Sequence, residues 1–214
     1  MSENALRDAI CYHAASFFAR GLTGGSSGNI SARTEDGGLL VTPTGSSFGA
    51  LDPAKLSRLD PAGHLISGDP PTKEMPLHTA FYETRGTVGA VVHLHSTYSV
   101  ALSMLPEIDP DNALPPLTAY SIMRLGKVKL LPQIRPGDPA MGEAVRALGG
   151  KYAAVLLANH GPVVSAKDLD AAVYALEELE ETAKLALLTR GMNPVALSEA
   201  QIRDVVTSFN VDWD

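Results

Sequence analysis

The chain has 214 residues, of which 45% are hydrophobic and 19% charged, and its net charge is −7. This describes a globular protein long enough to bury a sizeable core, and the acidic balance excludes a broad nucleic-acid-binding face. No apolar run is long enough for a bilayer, residues 1–8 lack the apolar stretch of a signal peptide, and the lone Cys11 excludes an internal disulfide; a cytoplasmic protein without membrane partners is expected.

Leu6, Ile10 and Phe17 share one side of a predicted helix over 5–20 that ends at Gly21. Cys11 falls in that pattern and reads as a buried, inert thiol. A glycine-rich loop, Thr23-Gly24-Gly25-Ser26-Ser27-Gly28-Asn29, leads into a strand at Ile30-Ser31-Ala32-Arg33. Asp36-Gly37 signals a hairpin turn, Leu39-Leu40-Val41-Thr42 is the returning strand, and Pro43-Thr44-Gly45 breaks it. A second hairpin is predicted from Ser57 through Gly63 to Ser67. Residues 74–85 read as a helix with Pro76 in its first turn, and residues 88–95 as a strand. A short helix is expected over 138–148, capped by Asp138 and followed by Gly149. Residues 153–158 form a buried strand, and Pro162-Val163-Val164 begins another. The longest helix covers 168–190, where Glu177, Glu178, Glu180 and Glu181 read as a solvated face. A last helix spans 198–209, with Ser198 and Gln201 spaced as a capping box. No period suggests repeats, and one domain over 1–214 is expected. Interleaved strands and helices with frequent hairpins point to one mixed sheet covered by helices, not a doubly wound parallel sheet.

The sharpest chemical feature is Val91-Val92-His93-Leu94-His95. On a strand, residues two apart share a face, so His93 and His95 project together and suit a divalent ion. By itself His-x-His equally describes two surface or hydrogen-bonded histidines. His160 ends the apolar run Val155-Leu156-Leu157-Ala158 within Asn159-His160-Gly161, where it is either a turn histidine or a third ligand. Glu74 follows the stiff stretch Pro70-Pro71-Thr72-Lys73 at a helix start. There it either stabilises its own helix or serves as a ligand or proton carrier. His78, one turn on, is expected to be structural or to support the ligands. The loops at Ser26-Ser27-Gly28-Asn29 and Thr44-Gly45-Ser46-Ser47 offer hydroxyls and backbone N–H groups for a phosphate, though such loops are more often plain turns. Neither matches a nucleotide-binding loop.

Taken in order, Gly28-Asn29-Ile30-Ser31-Ala32-Arg33, Thr42-Pro43-Thr44-Gly45, Glu74 with His78, His93-Leu94-His95 and Asn159-His160-Gly161 resemble the class II aldolase/adducin family. The resemblance runs from the first helix to near Arg190. It implies an α/β fold of three layers, with helices on both faces of a mixed, mostly antiparallel sheet. His93, His95 and His160 fall on the family's metal-binding histidines, and Glu74 on its catalytic acid/base, which also touches the resting metal. Asn29, Thr44, Gly45 and Thr72 fall on phosphate-binding positions, and Ser27 and Gly28 adjoin them. Tyr120 falls near a family tyrosine that reaches into a neighbouring subunit's site, and the resemblance also implies a homotetramer with sites at subunit interfaces. One divalent ion per subunit is implied; zinc is the first expectation, and manganese, iron or cobalt would also suit imidazole.

Ser67-Gly68-Asp69-Pro70-Pro71-Thr72-Lys73-Glu74, Leu114-Pro115-Pro116-Leu117-Thr118 and Arg135-Pro136-Gly137-Asp138-Pro139 are similar to the family's branch that decarboxylates 3-oxo-tetronate 4-phosphates. Aldolases of the family often carry two serines before the glutamate, where this chain has Thr72-Lys73. Lys73 then stands as a cationic partner for a substrate carboxylate, or simply as an exposed lysine. The implied reaction turns a small phosphorylated sugar acid into dihydroxyacetone phosphate and carbon dioxide through a metal-bound enediolate. Open alternatives are a sugar-phosphate aldolase or epimerase, a non-catalytic adducin-like interaction module, and a zinc hydrolase.

Overall fold

The computed structural model describes residues 1–213. In chain order its elements are α1 (Glu3–Ala19), β1 (Asn29–Arg33), β2 (Leu39–Val41), β3 (Ser57–Leu59), β4 (Leu65–Ser67), α2 (Met75–Thr84), β5 (Ala90–His93), α3 (Thr97–Ser103), α4 (Ala119–Leu125), β6 (Val128–Leu131), α5 (Ala140–Arg146), β7 (Ala154–Leu157), β8 (Gly161–Ala166), α6 (Leu169–Leu188) and α7 (Glu199–Phe209). The strands form one sheet in the order β4-β3-β2-β1-β5-β8-β7-β6. Every pairing is antiparallel except β6 with β7.

Alternation along the central strands sends side chains to two separate cores. Ile30, Ala32, Val92, Leu94, Leu156 and Val164 face a core completed by α1, α3 and α6. Val91, Val155 and Val163 face the other, against Leu77 and Phe81 of α2 and Met141 and Val145 of α5. Helices therefore cover both faces, giving the three layers and the mixed, mostly antiparallel sheet expected. Because the central strands are buried on both sides, they read as apolar runs and not as alternating ones. Burying a side chain such as Phe17, Phe81 or Leu94, each at most 1% exposed, contributes about 1.5–3 kcal/mol.

Most predicted turns and caps are in place. Gly37 and Gly63 take positive φ in their hairpins, Asp168 caps α6 through Ala171 N–H, and Ser198 and Gln201 form a reciprocal capping box. Some expectations need correction. The strand predicted over 88–95 pairs only from Ala90 to His93, so His95 lies beyond the ladder. The helix predicted over 138–148 is regular only across Ala140–Arg146, although Asp138 accepts a hydrogen bond from Ala140 N–H. The four-glutamate run is not a uniform solvated face. Glu180 is 3% exposed, and its carboxylate accepts from the N–H groups of Tyr98 and Ser99 and from the Ser99 hydroxyl. These are first-turn groups of α3, whose own N-cap, Ser96, supplies no side-chain bond. Glu180 caps that helix from outside. Two helices and an edge strand, α3, α4 and β6, had no counterpart in the sequence reading.

Candidate active site

The antiparallel register brings distant residues to one end of the sheet. Asn29, the first residue of β1, pairs with His93, the last of β5, and His93 pairs with Val163 near the start of β8. His160 sits in the short turn joining β7 to β8. In that turn Asn159 adopts φ 57°, and a Cβ on Gly161 would lie only 2.1 Å from the Leu94 carbonyl oxygen. Only glycine lets β8 approach the end of β5 this closely, and the approach carries His160 to His93 and His95.

The three imidazole Nε2 atoms form a small triangle: His93 to His95 at 3.1 Å, His93 to His160 at 3.3 Å, and His95 to His160 at 3.0 Å. The Glu74 carboxylate stands over it, Oε2 at 3.4 Å from His93 Nε2 and Oε1 at 3.4 Å from His160 Nε2. His93 donates from Nδ1–H to the Pro162 carbonyl oxygen at 2.8 Å, which leaves a lone pair on Nε2 pointing inward. Burial, reinforced by the neighbouring imidazoles, holds His93 well below the usual histidine range, and burial also lowers His95 and His160. Neutral imidazoles are the form that binds a metal.

The donor set fits a divalent ion. One ligand atom from each of Glu74, His93, His95 and His160 lies within 4.8 Å of the others. Glu74 Oε1 is buried with no hydrogen-bond partner, and with the three imidazoles offering lone pairs from Nε2 the acceptors converge where a cation would satisfy them. A triangle of this size suits nitrogen–metal bonds of about 2.0–2.1 Å. Glu74 occupies the N-cap position of α2 but makes no side-chain cap bond, and its carboxylate faces the histidines instead.

Around the cluster, Asn29 is buried and donates from Nδ2 to Glu74 Oε2 at 2.7 Å. Gly28 has φ +86°, and a Cβ there would lie 3.0 Å from the His93 carbonyl oxygen. The Ser27 hydroxyl is engaged within its own loop, donating to the Gly24 carbonyl. Thr72 N–H donates to the Thr42 carbonyl and Thr44 N–H to that of Pro70, which zips the Thr44-Gly45 loop alongside Thr72. Thr72 Oγ1 accepts from Glu74 N–H. Asn29 and Thr72 thus both bond to Glu74, and the Thr44-Gly45 loop runs beside Thr72. Lys73 is exposed and in no ion pair among the described residues. Tyr120 is not brought to the histidines of its own chain. It is 60% exposed and lines a different groove with Arg20, Arg124, Tyr174 and Glu177.

Sequence reasoning missed Ser31 and Tyr82. His78 Nδ1 lies 2.7 Å from Ser31 Oγ, which lies 2.9 Å from Tyr82 Oη, while His78 Nε2 meets Asn29 Oδ1. Burial pushes the His78 imidazole down to about 3. The available signal was spacing: Glu74, His78 and Tyr82 recur every four residues on α2, and Asn29 and Ser31 every two on β1.

The chain is similar to known proteins over most of its length. The sequence profile of the class II aldolase and adducin N-terminal domain matches residues 8–187. A 3-oxo-tetronate 4-phosphate decarboxylase from Pectobacterium atrosepticum is 49% identical over 187 residues, 87% of this chain and 86% of the relative. An L-fuculose phosphate aldolase from Haemophilus influenzae is 31% identical over 192 residues, 89% of this chain and 87% of the relative. The crystal structure of YgbL from Klebsiella pneumoniae superposes with a TM-score of 0.93 at 42% identity, covering 96% of this chain and 99% of that one. With profile, sequence and fold in agreement across most of its length, the chain belongs to the class II aldolase and adducin family.

Proposed function

We propose that this protein is a carboxy-lyase that converts a 3-oxo-tetronate 4-phosphate into dihydroxyacetone phosphate and carbon dioxide. The observation that carries the chemistry is the triangle of three imidazole Nε2 atoms under a buried carboxylate with a partnerless oxygen. The choice of leaving group rests on 49% identity to a protein named for this decarboxylation, against 31% to one named as an aldolase.

In this reading His93, His95, His160 and Glu74 hold one divalent ion, with zinc favoured by three imidazoles and one carboxylate. Once bound, the ion supplies Lewis-acid stabilisation of charge developing on the substrate's ketone and neighbouring hydroxyl oxygens. The C1–C2 bond of the substrate breaks, carbon dioxide leaves, and the electron pair passes into a C2–C3 double bond with charge on the C3 oxygen. Protonation at C2 then yields the product. In this reading Glu74, a ligand to the ion only in the resting protein, takes up a proton from solvent and delivers it to C2, with its Oε2 held by Asn29 and its Oε1 free to act. Asn29, Thr44, Gly45 and Thr72, with the Ser27-Gly28 turn, form the pocket for the phosphate, which keeps the reacting carbons in register. Lys73, exposed and unpaired beside Glu74, suits the substrate carboxylate. Tyr120, remote from its own chain's histidines, serves a neighbouring subunit in a homotetramer. Residues 1–214 act as one domain in a sugar-acid breakdown route.

The test is a screen of phosphorylated 3-oxo acids that follows carbon dioxide and aldehyde release separately. Carbon dioxide without aldehyde is expected, and aldehyde release would move the assignment to an aldolase. His93→Ala and His95→Ala should each lose bound metal and nearly all turnover, measured by metal analysis alongside the assay. Full turnover of either variant in metal-depleted buffer would defeat the reading.

A further inference from the structure

A string of polar side chains runs through the core between α2 and β1. His78 and Tyr82 lie on one stripe of α2, a step of about 6 Å along the helix, and Glu74, its N-cap residue, stands one further four-residue step before them. Residues 29 and 31 lie on one face of β1, about 6.6 Å apart. The two repeats nearly match, so the stripe and the strand face interleave: Tyr82, Ser31, His78, Asn29, Glu74. His78 and Ser31 are fully buried, and Asn29 is nearly so.

Each bond has a forced direction. An ionised carboxylate only accepts, so the Asn29 amide nitrogen must face Glu74 Oε2. Asn29 Oδ1 then faces His78 Nε2, which must carry the proton. His78 Nδ1 is left as an acceptor and takes the Ser31 hydroxyl proton. Ser31 Oγ in turn accepts from the Tyr82 hydroxyl. Turning the amide over would press its carbonyl oxygen against a carboxylate oxygen in a dry environment, with no proton between them.

We infer that His78 is a positioning residue: its Nε2–H locks the Asn29 amide so that Asn29 grips Glu74 Oε2 and holds the carboxylate with both oxygens facing the histidine cluster, Oε1 without a hydrogen-bond partner. The inference rests on the proposed role of Glu74 in moving the substrate proton. It also gives Asn29 a second task besides the phosphate, since one N–H of its amide is committed to Glu74.

The experiment compares native protein with His78→Leu, His78→Gln, Asn29→Ala and the His78→Leu/Asn29→Ala double variant. His78→Leu should lower kcat by about 10- to 100-fold while KM moves by no more than about threefold. His78→Gln, whose side-chain nitrogen can stand near the position of Nε2, should recover most of the loss. If His78 acts through Asn29, His78→Leu should add nothing in the Asn29→Ala background. The second readout is the visible absorption of the Co2+-loaded proteins: it should shift in His78→Leu and Asn29→Ala, which free the Glu74 carboxylate, and stay native in His78→Gln. Additive losses, equal impairment of the Leu and Gln variants, or a native spectrum and kcat in His78→Leu would each overturn the inference. If His78→Leu fails to fold, Ser31→Ala replaces it, with a smaller drop in kcat and a spectral shift in the same direction expected; native behaviour there overturns the inference. Should the native protein release no carbon dioxide, the proposed function fails, and the Co2+ spectra still decide the place of His78.

Discussion

Gly161 shows how much of the site hangs on one residue without a side chain. An added methyl group would meet the Leu94 carbonyl oxygen at 2.1 Å, and the backbone sits at φ +152°. Gly161→Ala should therefore push β8 away from β5 and carry His160 with it. About 1–3 kcal/mol of stability should be lost to strain, and Co2+ affinity should fall; thermal unfolding of the metal-free protein and Co2+ titration measure the two. Native affinity in this variant would mean that the turn repacks. Legibility at this scale was uneven. His93 and His95 were readable as a pair because strand periodicity is local. His160 lies 65 residues beyond His95, and no local rule links them; family resemblance pointed to it. Glu180 was misread because it belongs to a run of glutamates, yet it lies on the stripe of Val173, Leu176 and Ala183 that α6 buries. A carboxylate on an apolar stripe was the signal to follow.

Among the elements, α3 depends on a distant partner for the start of its helix. Its seven residues begin two positions after His95, and its first turn is capped by Glu180 from α6. Short helices are marginal alone, and unpaired N–H groups at a buried helix start are costly. Glu180→Ala should destabilise the protein by about 1.5–3 kcal/mol, read by chemical denaturation. Glu180→Gln, which keeps an accepting oxygen, should cost less. Equal loss in both variants would point to packing and not capping. The region between 97 and 131 was opaque to sequence reading for a related reason. Seven-residue helices show barely two turns of period, and β6 is an edge strand that pairs in parallel with β7 only through a crossover. Where periodicity ran long, as in α1 and α6, the reading agreed with the structure to within about two residues.

Across the whole molecule, the buried histidines tie stability to pH. His78, His93, His95 and His160 all have folded-state values below the usual 6.5, mainly through burial. The unfolded chain takes up protons below about pH 6.5 that the folded metal-free chain refuses, so stability falls as pH drops through that value and continues to fall toward about 3, where His78 titrates. A loss on the order of several kcal/mol between about pH 7 and pH 4 is expected for the metal-free protein. The depressed carboxyl groups of Asp36 and Glu3 add to it only at the acid end. Unfolding free energies by denaturant titration across that range test it, and a flat profile would rule out neutral buried imidazoles.

Local chemistry in the chain was enough to determine the helices with long periods, the hairpin turns, the caps, the acidic character and a paired-histidine motif, because each depends on residues within a few positions of one another. What only the tertiary structure decided is which of those residues meet. The antiparallel register of β1, β5 and β8 put Asn29, His93 and the His160 turn at one sheet end, and the match between a four-residue helix step and a two-residue strand step threaded Tyr82, Ser31, His78 and Asn29 onto Glu74. Such meetings depend on packing between segments far apart in sequence, where no short-range pattern carries the information.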